Sequence, residues 1–121
     1  MAIDADLASW LRLTLIPGVG GETQRALLKA FGLPEAIFAG GIGALRGVVG
    51  PLADRLLQPD AAISAAIEAA LHWASEPGNR ILTLADSEYP QALLSSADPP
   101  VLLYLKGRVE LLNRPGFAIV G

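Results

Sequence analysis

Four residues, Glu76-Pro77-Gly78-Asn79, limit what this chain can fold into more than any others, because the apolar pattern changes on either side of them. Ahead of them apolar side chains recur every three or four positions, the period of a helix with one buried face. Behind them they gather into short unbroken runs, the pattern of strands covered on both faces. Proline followed by glycine stops a helix and turns the chain. The sequence therefore predicts a helical domain over residues 1–77 and the start of an α/β domain over residues 78–121.

In the first part, Leu7, Trp10, Leu11 and Leu15 mark one face of a helix over residues 4–14, with Asp4 or Asp6 as its cap. Pro17-Gly18-Val19-Gly20 breaks that helix, and a second over residues 21–30 buries Ala26, Leu27 and Ala30 before Phe31-Gly32 ends it. Pro34 suits the first position of a short helix ending at Ala39, Gly40-Gly41-Ile42-Gly43 predicts a turn, and residues 51–57 read as another brief helix. Asp60 stands where it can cap the longest helix, whose Ile63, Ile67, Ala70, Leu71 and Ala74 form one apolar stripe.

In the second part, strands are expected at residues 81–84, 101–106 and 117–120, with helical turns at residues 90–94 and 109–112. So few polar residues predict a parallel or mixed sheet in which residues 101–105 and 117–120 lie together. Phe117-Ala118-Ile119-Val120-Gly121 reads as a strand running into the glycine of a phosphate-facing turn, so the chain is read as the front of a longer protein.

Hydrophobic residues make up 52% of the chain and charged ones 17%, which excludes disorder. The absence of cysteine excludes a disulfide framework and a thiolate metal site, and a reducing cytoplasm is the setting it suits. The acidic start, Met1-Ala2-Ile3-Asp4-Ala5-Asp6, is the opposite of a signal peptide, and no apolar run approaches the ~18 residues of a membrane span. A net charge of −3 is the wrong sign for strong nucleic-acid binding by this chain alone, so single-stranded DNA is expected to bind it weakly or not at all.

Ile16-Pro17-Gly18-Val19-Gly20 between two helices is the arrangement of a helix-hairpin-helix. There the amides of Gly18, Gly20 and Gly21 can meet a phosphate oxygen without reading a base. Thr23 adds a hydroxyl, and Arg25 and Lys29, spaced i,i+4, add cations. The competing reading is a structural turn, favoured by Glu22 beside it and by Gln24 where such motifs usually place a small alanine. On the first reading Lys29→Ala in the full-length protein weakens DNA binding evenly across sequences and lowers the salt slope by about one unit; on the second it changes nothing, and Gly20→Val acts through backbone strain alone.

Gly41-Ile42-Gly43-Ala44-Leu45-Arg46-Gly47 superficially resembles a dinucleotide fingerprint, but no strand precedes it and its last glycine comes one residue late, so it reads as a loop. His72 has no second ligand at metal-binding spacing, and no nucleophile motif accompanies it, so no metal, cofactor or catalytic set is expected. Asp86 and Glu88 read as turn-capping residues, and Trp10, Trp73 and Tyr104 as packing residues.

Tyr89-Pro90-Gln91-Ala92-Leu93-Leu94, Asp98-Pro99-Pro100-Val101-Leu102-Leu103-Tyr104-Leu105-Lys106-Gly107, Leu111-Leu112 and Phe117-Ala118-Ile119-Val120-Gly121 follow one another as in the DNA-processing protein A family (DprA/Smf), which this chain resembles. Ile16-Pro17-Gly18-Val19-Gly20 with Thr23, Leu27-Leu28 and Phe31-Gly32 is similar to that family's small helical domain. The resemblance implies a helical bundle of the SAM or helix-hairpin-helix kind followed by the first strands of a truncated Rossmann-like domain. It also implies a protein without enzymatic activity that binds single-stranded DNA and helps load the RecA recombinase during natural transformation, with self-association through regions beyond this chain. Gly121 is the one residue it places in the family's DNA pocket. Two other classes stay open: an α/β enzyme acting on a nucleotide or sugar phosphate, and a helical protein-interaction module.

Overall fold

The structure is a computed structural model and describes residues 2–107. The expectations at residues 109–112 and 117–120 and at Gly121 lie outside the described residues. The fold is mostly helical with a small two-stranded antiparallel sheet, an α plus partial α/β arrangement, and the chain divides into two units between Leu71 and His72.

The first unit holds α1 (Ala2–Leu15), α2 (Gly21–Phe31), α3 (Pro34–Ala39), α4 (Gly41–Val49), α5 (Leu52–Leu57) and the greater part of α6 (Ala61–Ser75). Each break has a local cause. Gly32 takes φ +97° and its amide donates to the Leu28 carbonyl at 2.8 Å, closing α2. Pro34 opens α3, where its missing N–H costs nothing. Asp60 caps α6, its Oδ1 accepting from the amides of Ala62 at 2.8 Å and Ile63 at 3.3 Å. The core is one cluster of Leu13, Ile16, Val19, Leu27, Ile37, Leu45, Ala53 and Leu56, so every element from α1 to α5 contributes.

Two sequence expectations are corrected here. The glycine stretch at residues 41–47 is helical, within α4. Ile42, Leu45 and Val49 fall on one face and pack into or against the core, with Leu45 fully buried. Burying one leucine stabilises by about 2 kcal/mol, and its two neighbours add to that. Together they outweigh the ~0.5–1 kcal/mol that each of Gly43 and Gly47 costs a helix. The second correction concerns α2, where Ala26 and Ala30 are exposed and the buried residues are Gln24 and Leu27. The inward face is set by the packing of neighbouring helices, and a polar residue lies on it because it has a partner in the preceding turn.

The stripe on α6 is real but shallow: Ile63, Ile67, Ala70, Leu71 and Ala74 are all half-buried, and no residue of the helix is fully buried.

The second unit pairs β1 (Asn79–Thr83) with β2 (Leu102–Lys106) in antiparallel register, Asn79 opposite Lys106 and Thr83 opposite Leu102. Their connection passes through the short helix α7 (Gln91–Leu94). An apolar run specifies a buried strand but not its partner's direction; a mixed sheet accommodates this pair and an all-parallel one does not. Ile81, Leu82, Tyr89 and Val101 are buried, and the Tyr89 hydroxyl donates to the Pro100 carbonyl at 2.6 Å, holding the proline-rich approach to β2. The Thr83 amide donates to Asp86 Oδ2 at 2.8 Å and the Asp86 amide to the Thr83 carbonyl at 3.0 Å, while Glu88 pairs with Arg80. Asp86 thus caps the turn, as its position predicts, whereas Glu88 is drawn to the Arg80 guanidinium on β1.

Candidate nucleic-acid interface

The turn between α1 and α2 is held from inside by two apolar anchors, Ile16 and Val19, and its glycines remain at the surface. The Val19 amide donates to the Ile16 carbonyl at 3.2 Å, and Gly18 reverses the chain at φ +87°, a conformation that suits glycine alone. Gln24 reaches back from α2, and its Nε2 donates to the Val19 carbonyl at 3.0 Å. Its amide side chain therefore replaces a small residue by acting as an internal brace. Gly20 precedes α2 in an extended conformation with no side-chain cap, so the first amides of α2 carry the unsatisfied donors and positive end common to helix starts.

Two guanidiniums border this turn. Arg55, on the outer face of α5, donates from Nη1 to the Pro17 carbonyl at 3.0 Å, and the same nitrogen would lie 3.0 Å from a Cβ built on Gly18. Arg25 folds back over the start of its own helix, where its Nη1 would lie 3.0 Å from a Cβ on Gly21. The structure thus gathers Gly18, Gly20, Gly21, Thr23 and Arg25 about one turn, Thr23 half-buried, and adds Arg55. Sequence reasoning missed Arg55 because it is 38 residues from its partner. The spacing of buried Ala53 and Leu56 could only have told that Arg55 faces outward.

Lys29 does not belong to this group. It lies eight residues beyond Gly21 along α2, about 12 Å at 1.5 Å per residue, in the last turn, where a cation favours the helix dipole. Glu22 is exposed in the first turn and opposes an anion there.

Backbone geometry separates two glycines that look alike in sequence. Gly20 has φ −85° and nothing within 4 Å of a built Cβ, so the expected strain of Gly20→Val is absent. The strained position is Gly18. Gly18→Val is expected to cost about 1–3 kcal/mol and Gly20→Val within about 0.5 kcal/mol. Thermal melts followed by circular dichroism check this, a fall of roughly 10 °C being expected for Gly18→Val and almost none for Gly20→Val. Equal melting temperatures for the two variants would show that the turn relaxes around either side chain.

Elsewhere in the first unit, Arg12, Ile16, Leu56, Asp60, Ile63 and Ile67 line a cleft of about 530 Å³. Arg12 is fixed beside it, its Nη2 donating to the Leu56 carbonyl at 2.9 Å and its guanidinium lying 4.1 Å over the Phe38 ring. Among the described residues no group of His, Asp and Glu is placed to hold a metal, and His72 is exposed on α6. Among them, too, no helix is long and apolar enough to cross a membrane.

The family model of DNA recombination-mediator protein A matches residues 80–121, a stretch that takes in α7, β2 and all but the first residue of β1. The match bears out the resemblance carried by the Tyr89-Pro90 and Pro99-Pro100 segments and does not extend to the interhelical turn. No curated protein and no solved structure matches the chain.

Proposed function

We propose that this chain is the leading part of a single-stranded-DNA-binding recombination mediator, comprising a helical domain (residues 1–77) of the SAM or helix-hairpin-helix kind and the start of a Rossmann-like domain (residues 78–121). The observation that carries this reading is the match of residues 80–121 to a family of DNA recombination mediators. On it, the protein acts in the cytoplasm, assists loading of RecA during natural transformation, and performs no catalysis of its own. Gly121 keeps its assignment to the family's DNA pocket.

In this reading the α1–α2 turn supplies one auxiliary phosphate contact, made by the Gly20 and Gly21 amides with Arg25 and Arg55, and Thr23 at its margin. Amides and guanidiniums at a helix start suit a phosphate oxygen and read no base. Net charge −3 keeps the affinity low.

The test is a salt titration of oligothymidine binding by wild type, Arg55→Gln and Lys29→Ala, started at low ionic strength. Glutamine removes the charge and leaves a neutral polar side chain on the exposed face of α5. For single strands each neutralised phosphate contributes about 0.7 to the slope of log affinity against log salt. Arg55→Gln is expected to lower the slope by about that amount and Lys29→Ala to leave it unchanged. Equal slopes for all three remove the turn from the DNA site.

A second reading, a helical protein-interaction module, is favoured by the cleft beside Arg12, whose apolar walls and fixed guanidinium suit an apolar side chain next to a polar one. Binding of a protein partner insensitive to salt, with no DNA binding, selects it.

A further inference from the structure

Tyr104 is an aromatic residue left in the open on a sheet. It is 52% exposed, whereas Leu102, Leu103 and Leu105 of the same strand are half-buried. The antiparallel register puts it opposite Ile81, and the two-residue repeat of a strand puts exposed Lys106, opposite Asn79, on the same face about 7 Å along. From the end of α6, Trp73 meets the phenol ring edge-on, with centroids 5.7 Å apart and planes at 68°. Trp73 is itself tied to β1, since Asn79 Nδ2 donates to its carbonyl at 3.0 Å. The ring is therefore held by a neighbour rather than free to collapse onto the strand. Whichever ring presents its edge, at least one face of Tyr104 stays outside the pair.

We infer that Tyr104, steadied by Trp73 and flanked by Lys106, is a stacking platform for one base of single-stranded nucleic acid. This rests on the DNA-binding reading above and adds to it a base contact at a different place from the interhelical turn. A neutral aromatic face beside one cation is what a base with its phosphate requires, and stacking tolerates any base. The phenol suits this role at all physiological pH, because partial burial raises its pKa and keeps it uncharged. Only one cation takes part, and Glu76 is exposed in the turn before β1, so stacking supplies most of the affinity and salt dependence is shallow. Both Tyr104 and Lys106 fall within the stretch matched to the recombination-mediator family.

The experiment compares an oligothymidine with an abasic oligomer of the same length, bound to wild type, Tyr104→Ala, Tyr104→Phe and Lys106→Ala at low salt. Circular dichroism confirms folding of each. Loss of one stacked base is worth about tenfold in affinity. Wild type and Tyr104→Phe are expected to bind the oligothymidine about tenfold more tightly than the abasic oligomer, and Tyr104→Ala to bind both alike and weakly. Lys106→Ala is expected to retain the preference for bases and to lower the salt slope by about 0.7. If wild type binds and Tyr104→Ala keeps its affinity and its preference, the platform is wrong while DNA binding stands. Should wild type bind neither oligomer at low salt, the platform is wrong, because a base stacked on Tyr104 is held by residues within this chain, whereas the weak binding expected from a net charge of −3 leaves the DNA-binding reading standing.

Discussion

Tyr89→Ala is expected to lower the stability of the second unit by about 3–5 kcal/mol, the range for emptying an aromatic site in a core. Among the described residues Tyr89 is the largest fully buried side chain, at 1% exposure, and Ile81, Leu82 and Val101 are also buried in this unit. Its hydroxyl donates to the Pro100 carbonyl at 2.6 Å, so the same residue fills the interior and fixes the proline-rich approach to β2. Tyr89→Phe separates the two contributions: the volume stays, and the carbonyl of exposed Pro100 loses its donor at a cost of about 0.5–1.5 kcal/mol. Urea unfolding followed by near- and far-ultraviolet circular dichroism measures both variants. Since small domains are stable by only ~5–15 kcal/mol, the alanine variant is expected to lose β1–β2 pairing in mild denaturant, while the phenylalanine variant keeps it. A phenylalanine variant as unstable as the alanine one would mean that the hydrogen bond, and not the packing, holds this unit.

The second large effect is expected at Leu27. Leu27→Ala removes a side chain with no exposure from the cluster that joins α1 to α5, and large-to-small changes at such sites cost about 2–5 kcal/mol. Since α2 also carries the amides of the interhelical turn, DNA affinity is expected to fall with the folded fraction while the salt slope of the folded molecules stays at the wild-type value. Ala30→Ser, on the exposed side of the same helix, is expected to change stability by less than about 0.5 kcal/mol. Chemical denaturation of the two variants side by side provides the check. A large loss at Ala30 would show that the outer face of α2 is covered in solution.

The sequence by itself determined the features that depend on neighbours a few residues apart. Pro34 at the start of α3, Gly32 at the end of α2 and Asp60 at the start of α6 are local events of stereochemistry and hydrogen bonding, and each is found where its residue type predicts. The half-buried stripe of α6 follows from spacing alone, and the strands expected at residues 81–84 and 101–106 are found at 79–83 and 102–106. The order of the Tyr89-Pro90 and Pro99-Pro100 segments was enough to show the family resemblance that the comparison bears out.

Only the tertiary structure decided the rest. Whether glycines at residues 41–47 form a loop or a helix depends on whether Leu45 finds a core to enter, which no local rule contains. Gly18 and Gly20 are the same residue in the same motif, yet one has φ +87° and the other −85°, because the direction of the turn is set by the helices it joins. Gln24 looks out of place until its amide is seen to meet the Val19 carbonyl, and Arg55 enters the candidate site from 38 residues away. Lys29, the nearest partner of Arg25 by helical spacing, stands ~12 Å along α2 from Gly21, in the helix's last turn. Strand direction and the exposure of Tyr104 belong to the same class, since both are properties of what packs against a segment and not of the segment itself.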